Sequence, residues 1–199
     1  MKNPFCSERL HYRAIRDTAE DEAFVHSIQN DPLAYGLSNM TLLRPETTRA
    51  SGEWKKHLTE KCLIAVIICI APPLPATSAE EKAAVPIGII SLSNPQPGYE
   101  HHRNSNLGVD ILAAHRGKGY GGEAIQWIVD WGFQYAGLHR IGLECFSYNE
   151  GAARLYERLG FVAEGRKRET VWFDGAWHDM LQFSMLEQEW KEKQREAGR

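Results

Sequence analysis

A chain of 199 residues, 43% of them hydrophobic and 25% charged, can bury a sizeable core without disulfides or a membrane to help it. Its formal net charge of -3 gives no general attraction to nucleic-acid phosphates or anionic lipid, so neither is an expected partner. The four cysteines, Cys6, Cys62, Cys69 and Cys145, lack C-x-x-C spacing and neighbouring histidines, which reads as reduced buried thiols and no metal. The N-terminal residues hold no apolar signal core, and the longest apolar stretch, 63–71, is too short to cross a bilayer. The expected location is therefore cytoplasmic.

Taken in order, residues 9–16 alternate Leu10, Tyr12 and Ala14 against charged neighbours, as a first strand does. Thr18 or Asp17 can cap a helix over 19–29, and a polar helix is expected over 45–61. Segments 62–70 and 85–92, rich in isoleucine and valine, read as antiparallel strands joined by the proline-rich and then charged insert 71–82. A loop over 93–105 carries His101 and His102, adjacent side chains that do not converge on one metal ion. Residues 107–112 form the next strand. In 121–136, Ala124, Ile125, Ile128, Val129, Gly132 and Phe133 make one helical stripe. A strand over 139–146, a short helix over 149–159 and two long strands joined at Asp174-Gly175 complete a single domain over 1–190, with a fraying tail at 191–199.

Between the strand ending at Leu112 and the following helix, four glycines fall within six residues, 117–122. Glycine lets main chain approach a ligand and adopt positive φ, and the first N–H groups of a helix are unpaired and partly positive. With Arg116 and Lys118 beside it, the turn suits a diphosphate. No Gly-Lys-Ser or Gly-Lys-Thr follows at P-loop spacing. Gly117, Gly119 and Gly122 satisfy a dinucleotide fingerprint, with Glu144 placed to meet a ribose, but the neighbouring segments do not repeat as β-α-β units. A purely structural glycine turn is the third alternative.

Arg116-Gly-Lys-Gly119-Tyr-Gly121 resembles the Arg/Gln-x-x-Gly-x-Gly/Ala signature of the GNAT N-acetyltransferase superfamily. At family spacing it is followed by 140–149 and by Ala152-Ala-Arg-Leu-Tyr156-Glu-Arg-Leu-Gly-Phe161, which is similar to that family's Asn-x-x-Ala-x-x-Leu-Tyr-x-x-x-Gly-Phe block. Glu8-Arg9-Leu10 and the closing 175–179 hairpin extend the resemblance over almost the whole chain, toward the branch of ribosomal-protein and spermidine N-acetyltransferases.

The resemblance implies a mixed α/β fold whose largely antiparallel sheet splays centrally between 107–112 and 141–146, with helices on both faces. It implies acetyl-CoA as cosubstrate, held by Ile111, Leu112, Arg116, Gly117, Lys118, Gly119, Tyr120, Gly121, Gly122, Asn149, Ala152 and Tyr156. The reaction is direct acetyl transfer to a primary amine of a small molecule or peptide, without an acyl-cysteine on Cys145. Tyr156 is the expected general acid. The main-chain N–H of a residue such as Leu112, where the strand splays, is the expected donor to the thioester oxygen. Asn149 either caps the helix that follows it or meets the pantetheine arm. Glu144, a carboxylate in an apolar strand, is the expected base, with Asp110 or a water chain as rivals. Specificity is expected in the loops 31–44 and 93–105 and in the hairpin around Asp174. The acidic runs 20–22 and 80–81 read as solvated surface, a homodimer is left open, and a non-catalytic acyl-CoA-binding module is the rival function.

Overall fold

The computed structural model describes residues 3–71 and 84–198. The insert expected over 71–82 and the acidic pair 80–81 thus lie, but for Ala71, outside the described residues. Among those described, the strands are β1 (Leu10–Ala14), β2 (Cys62–Ile70), β3 (Val85–Ser93), β4 (Asn104–Ile111), β5 (Arg140–Phe146), β6 (Val162–Phe173) and β7 (Ala176–Leu186). They form one sheet in the order β1-β2-β3-β4-β5-β7-β6, antiparallel throughout except for the parallel pair β4–β5.

The helices are α1 (Ala19–Gln29), α2 (Pro32–Ser38), α3 (Thr48–Lys61), α4 (Tyr120–Gln134), α5 (Glu150–Arg158) and α6 (Glu187–Ala197). Strands β2 and β3 are rich in isoleucine and valine because both of their faces are covered. On one face Val66, Ile68, Ile90 and Leu92 pack against Ala124, Ile125 and Ile128 of α4. On the other, Ile67, Cys69 and Ile89 meet Val25 and Ile28 of α1 and Leu58 of α3. The mixed, mostly antiparallel sheet with helices on both faces is the one expected.

Three segments differ from expectation. Within 31–44, expected as a loop, α2 forms because Asp31 accepts from the Leu33 and Ala34 N–H groups at 3.0 and 3.2 Å and Pro32 occupies the first turn. Helix α3 starts at Thr48, capped by Thr47, rather than at Pro45. The segment expected to fray after Trp190 continues α6 instead. Trp190 Nε1 donates to Asp130 at 2.7 Å, its ring lies 5.5 Å from that of Phe133, and Gln194 reaches the same carboxylate at 2.9 Å.

One acidic residue of the 20–22 run is likewise not surface. Asp21 is 1% exposed and receives two 2.7 Å hydrogen bonds from Arg13 and one of 2.8 Å from the Arg16 N–H. Burial alone would raise its pKa, but these donors outweigh it and hold the carboxyl down to about 2.

Candidate active site

Strands β4 and β5 are hydrogen-bonded at one end only. Asn104, Ser105 and Asn106 pair with Arg140, Ile141 and Gly142, and there the ladder stops. Beyond that point residues 107–111 keep their β3 partners, and 143–146 keep theirs on β7, while the two strands share no rung. The parted stretch falls within the splay that the family resemblance implied between 107–112 and 141–146, save that Ile141 and Gly142 are still paired with β4.

Register decides which main-chain groups face the gap. The Leu112 N–H is given to the Ile87 carbonyl at 2.9 Å, so the expected donor to a thioester oxygen is already used by the sheet. Since successive residues of a strand direct their N–H and C=O to opposite neighbours, Val109 and Ile111 are the ones turned toward the gap. The Ile111 carbonyl accepts there from Arg116 Nε at 2.8 Å.

The glycine turn opens beside this gap. Gly117 and Gly119 have φ of 73° and 84°, backbone that L side chains rarely adopt. Gly119 precedes α4 with no side-chain cap, so the N–H groups of Tyr120, Gly121 and Gly122 are left at the positive end of the helix. A Cβ added at Gly117 would meet nothing within 4 Å, so the turn is an open cradle rather than a packed one. These are the donors a diphosphate requires. The two basic side chains are held close: Lys118 Nζ donates to the Ala114 carbonyl at 2.9 Å, and the Arg116 guanidinium lies 3.9 Å from Asp31.

A brace that the sequence did not reveal fixes the turn. Glu123 accepts from Ser7 Oγ at 2.6 Å, from the Arg9 N–H at 2.7 Å and from Arg9 Nε at 2.8 Å. The same guanidinium donates to the Lys118 carbonyl at 3.0 Å and covers the Tyr120 ring at 4.8 Å.

Helix α5 brings Tyr156 to the α4 face of the sheet, where it is 8% exposed and packs edge-on to Phe183 at 5.8 Å. Burial pushes its pKa further up, and the nearby Cys145 and Asp110 add to the shift. The phenol is therefore protonated at neutral pH. Asn149 caps α5 by accepting from the Ala152 N–H at 3.3 Å, while its Nδ2 donates to the Leu37 carbonyl at 3.4 Å. Ala152 packs against the core beneath.

The two carboxylates considered as bases lie in different surroundings. Glu144 is exposed on β5, accepting from Gln182 Nε2 at 2.8 Å and from Lys167 Nζ at 3.1 Å. Asp110 pairs with Ile89 and so shares the α1 and α3 face. Burial raises its pKa, partly offset by a hydrogen bond from Ser38 and by the charge of Arg116. Asp110 and Tyr156 approach the gap from opposite faces of the sheet. Helix α2 spans the gap on the Asp110 side: Ser38 contacts Asp110, the Gly36 carbonyl accepts from Tyr148, and the Leu37 carbonyl from Asn149.

The profile of the acetyltransferase (GNAT) domain family matches residues 9–162, most of the chain. The chain belongs to the GNAT acetyltransferase family. Among curated relatives, this GNAT chain is 30% identical over 104 residues to the putative ribosomal N-acetyltransferase YdaF of Bacillus subtilis, covering 52% of this chain and 55% of that one. It is 33% identical over 86 residues to the spermidine N(1)-acetyltransferase of Vibrio cholerae, covering 43% and 50%. The matched stretch spans about half the length of these relatives. The fold of this GNAT chain superposes on the crystal structure of the Vibrio cholerae spermidine N-acetyltransferase in complex with CoA and spermine. The TM-score is 0.76 at 22% identity, covering 93% of this chain and 99% of that one. The resemblance drawn from the glycine turn and the 149–161 block is thereby borne out at the level of family and branch.

Proposed function

We propose that the chain transfers the acetyl group of acetyl-CoA to a primary amine by direct attack of the amine nitrogen on the thioester carbon. The observation that carries this reading is the coincidence of parted strands, with main-chain donors left in the gap, and an uncapped helix start beside it. When bound, acetyl-CoA supplies the thioester carbonyl and a thiolate leaving group. The main chain of 116–122 cradles the diphosphate, with Arg116 and Lys118 adding positive charge. Ile111, Leu112, Asn149 and Ala152 flank the pantetheine arm. The Val109 and Ile111 N–H groups, rather than that of Leu112, are free to meet the carbonyl oxygen as it gains charge.

As the carbon–nitrogen bond forms and the carbon–sulfur bond breaks, Tyr156 gives its proton to the departing sulfur, and the second proton, shed by the nitrogen as it becomes an amide, restores the phenol. An elevated pKa keeps that proton in place at working pH. The incoming ammonium must lose a proton before it attacks, and the surroundings favour Asp110 over Glu144 for receiving it. Burial raises the basicity of Asp110, whereas Glu144 is occupied by Lys167 and Gln182. Burial also pushes the Cys145 thiol up to about 11, which keeps it protonated and a poor nucleophile, in keeping with the direct route.

The test combines calorimetry with coenzyme A and thiol release from acetyl-CoA across a panel of amines. Binding with turnover on at least one amine is expected, and Cys145→Ala should retain most of it. Binding without turnover on any amine favours a non-catalytic acyl-CoA module, and absence of binding ends the assignment. The carboxyl of Asp110 must be ionised to act, so kcat/KM should fall with decreasing pH through a midpoint above the ordinary carboxylate range, and Asp110→Asn should remove that limb.

A further inference from the structure

The glycine turn is held by a residue that stands outside it. Arg9, just before β1, is fixed in its main chain by donating to Glu123 Oε1 at 2.7 Å and by accepting from the Ala71 N–H at 2.8 Å. The Ser7 hydroxyl that shares Glu123 also meets the Tyr12 hydroxyl at 2.9 Å. The Tyr12 ring, 2% exposed, stacks on Trp127 of α4 at 3.7 Å. The brace is thus rooted in the core, and from it the Arg9 guanidinium reaches the turn.

Arg9 Nη1 holds the Lys118 carbonyl at 3.0 Å, between the two glycines of positive φ. In a trans peptide the C=O and the following N–H point in opposite directions, so the Gly119 N–H faces away from Arg9. Among the described residues no main-chain carbonyl accepts that N–H, which leaves it to an anion beside the first N–H groups of α4. Without Arg9, glycines that rotate freely would have to be ordered by the ligand itself, at a cost in affinity.

Charge is the second contribution. Glu123 lies in the first turn of α4, whose N–H groups face the diphosphate, with its side chain 14% exposed. A lone carboxylate there would repel phosphate. Burial would raise its pKa, but donors from Ser7 and Arg9 outweigh it, so the group is ionised and paired with Arg9 Nε at 2.8 Å. The guanidinium is committed to Glu123, to Lys118 and to the Tyr120 ring, so it acts on the ligand through the turn.

Resting on the transferase reading above, we infer that Arg9 is a positioning residue for coenzyme A, directing the Gly119 N–H toward the diphosphate and cancelling the Glu123 charge beside it. Its effect is confined to the phosphate end of the carrier.

Steady-state kcat/KM for acetyl-CoA and for S-acetylpantetheine, a thioester without the diphosphate, tests it with the fastest amine of the panel above held saturating. Arg9→Met should lower kcat/KM for acetyl-CoA about tenfold or more, by way of KM, and weaken coenzyme A in calorimetry to match. The value for S-acetylpantetheine should stay within about twofold, because that thioester makes no use of the turn. Arg9→Lys keeps the charge but cannot span Glu123 and Lys118 together, and should show the same selective loss at about threefold or more. It carries the test if Arg9→Met does not fold. An unchanged value for acetyl-CoA, or an equal fall on both thioesters, overturns this inference and leaves acetyl transfer standing. No binding of coenzyme A by the unaltered chain, or binding with no turnover on any amine, overturns the transferase reading and this inference with it.

Discussion

Strand β4 behaves as two different objects along its eight residues. From Asn104 to Asn106 it is laced to β5 and belongs to the scaffold; from Val109 to Ile111 it has β3 on one side and a gap on the other. At the paired end Gly142 leaves room for the side chains of Asn106 and Arg140, and the requirement is packing. At the parted end the requirement is hydrogen bonding, because a main-chain donor left without a partner costs about 1–3 kcal/mol when buried. This sheet is thus built to be incomplete in one place, where a substrate can finish the ladder.

That contrast can be broken or sharpened by substitution on either side. The largest effect is expected for Tyr156→Phe, which removes the proton donor at the gap: kcat should fall about a hundredfold or more. Affinity for coenzyme A, measured by calorimetry, should change little, and wild-type turnover in this variant would remove Tyr156 from the chemistry.

On the scaffold side the readout is stability rather than rate. The folded-state pKa of Asp21 is depressed from 3.8 to about 2, so its contribution is fully present above about pH 4 and is lost as pH falls through about 2. It amounts to about 2 kcal/mol, or roughly thirtyfold in the folding equilibrium. Denaturant titrations of Asp21→Asn should show a loss of that order at neutral pH and a flatter acid limb, with kcat of the remaining folded enzyme preserved.

Gly119→Val should raise the KM for acetyl-CoA about tenfold, because the positive φ of the turn costs an L side chain roughly 1–2 kcal/mol and the new branches crowd Arg9. The smallest change is expected for Glu144→Gln, within about threefold in kcat/KM if its carboxylate serves only Lys167 and Gln182. A loss there as large as that of Asp110→Asn would return the role of base to Glu144.

What could be read before folding was local. The glycine turn and the 149–161 block are contiguous, and alternation or helical stripe placed β1, α1 and α4 near their observed bounds. Helix α2 carried a usable signal, Asp31 followed by Pro32, inside a segment expected as a loop. The Arg9–Glu123 brace was not legible, since its partners lie 114 residues apart and each is an ordinary surface residue by itself. Helix α6 is held by Asp130, 60 residues upstream of Trp190, so no local pattern announced its order. The choice between Leu112 and its neighbours as donor depended on strand register, which composition does not encode. The different surroundings of Glu144 and Asp110 emerged only when Lys167 and Ser38 were brought beside them.

The central claim is that a thioester carrier completes the sheet where β4 and β5 part. Residue-resolved amide hydrogen exchange, with and without coenzyme A, tests it most directly. Coenzyme A should slow exchange at Val109 and Ile111 and at Tyr120, Gly121 and Gly122, while Ser105 and Asn106 are unchanged. Tight binding that leaves those five amides exchanging as before would contradict it.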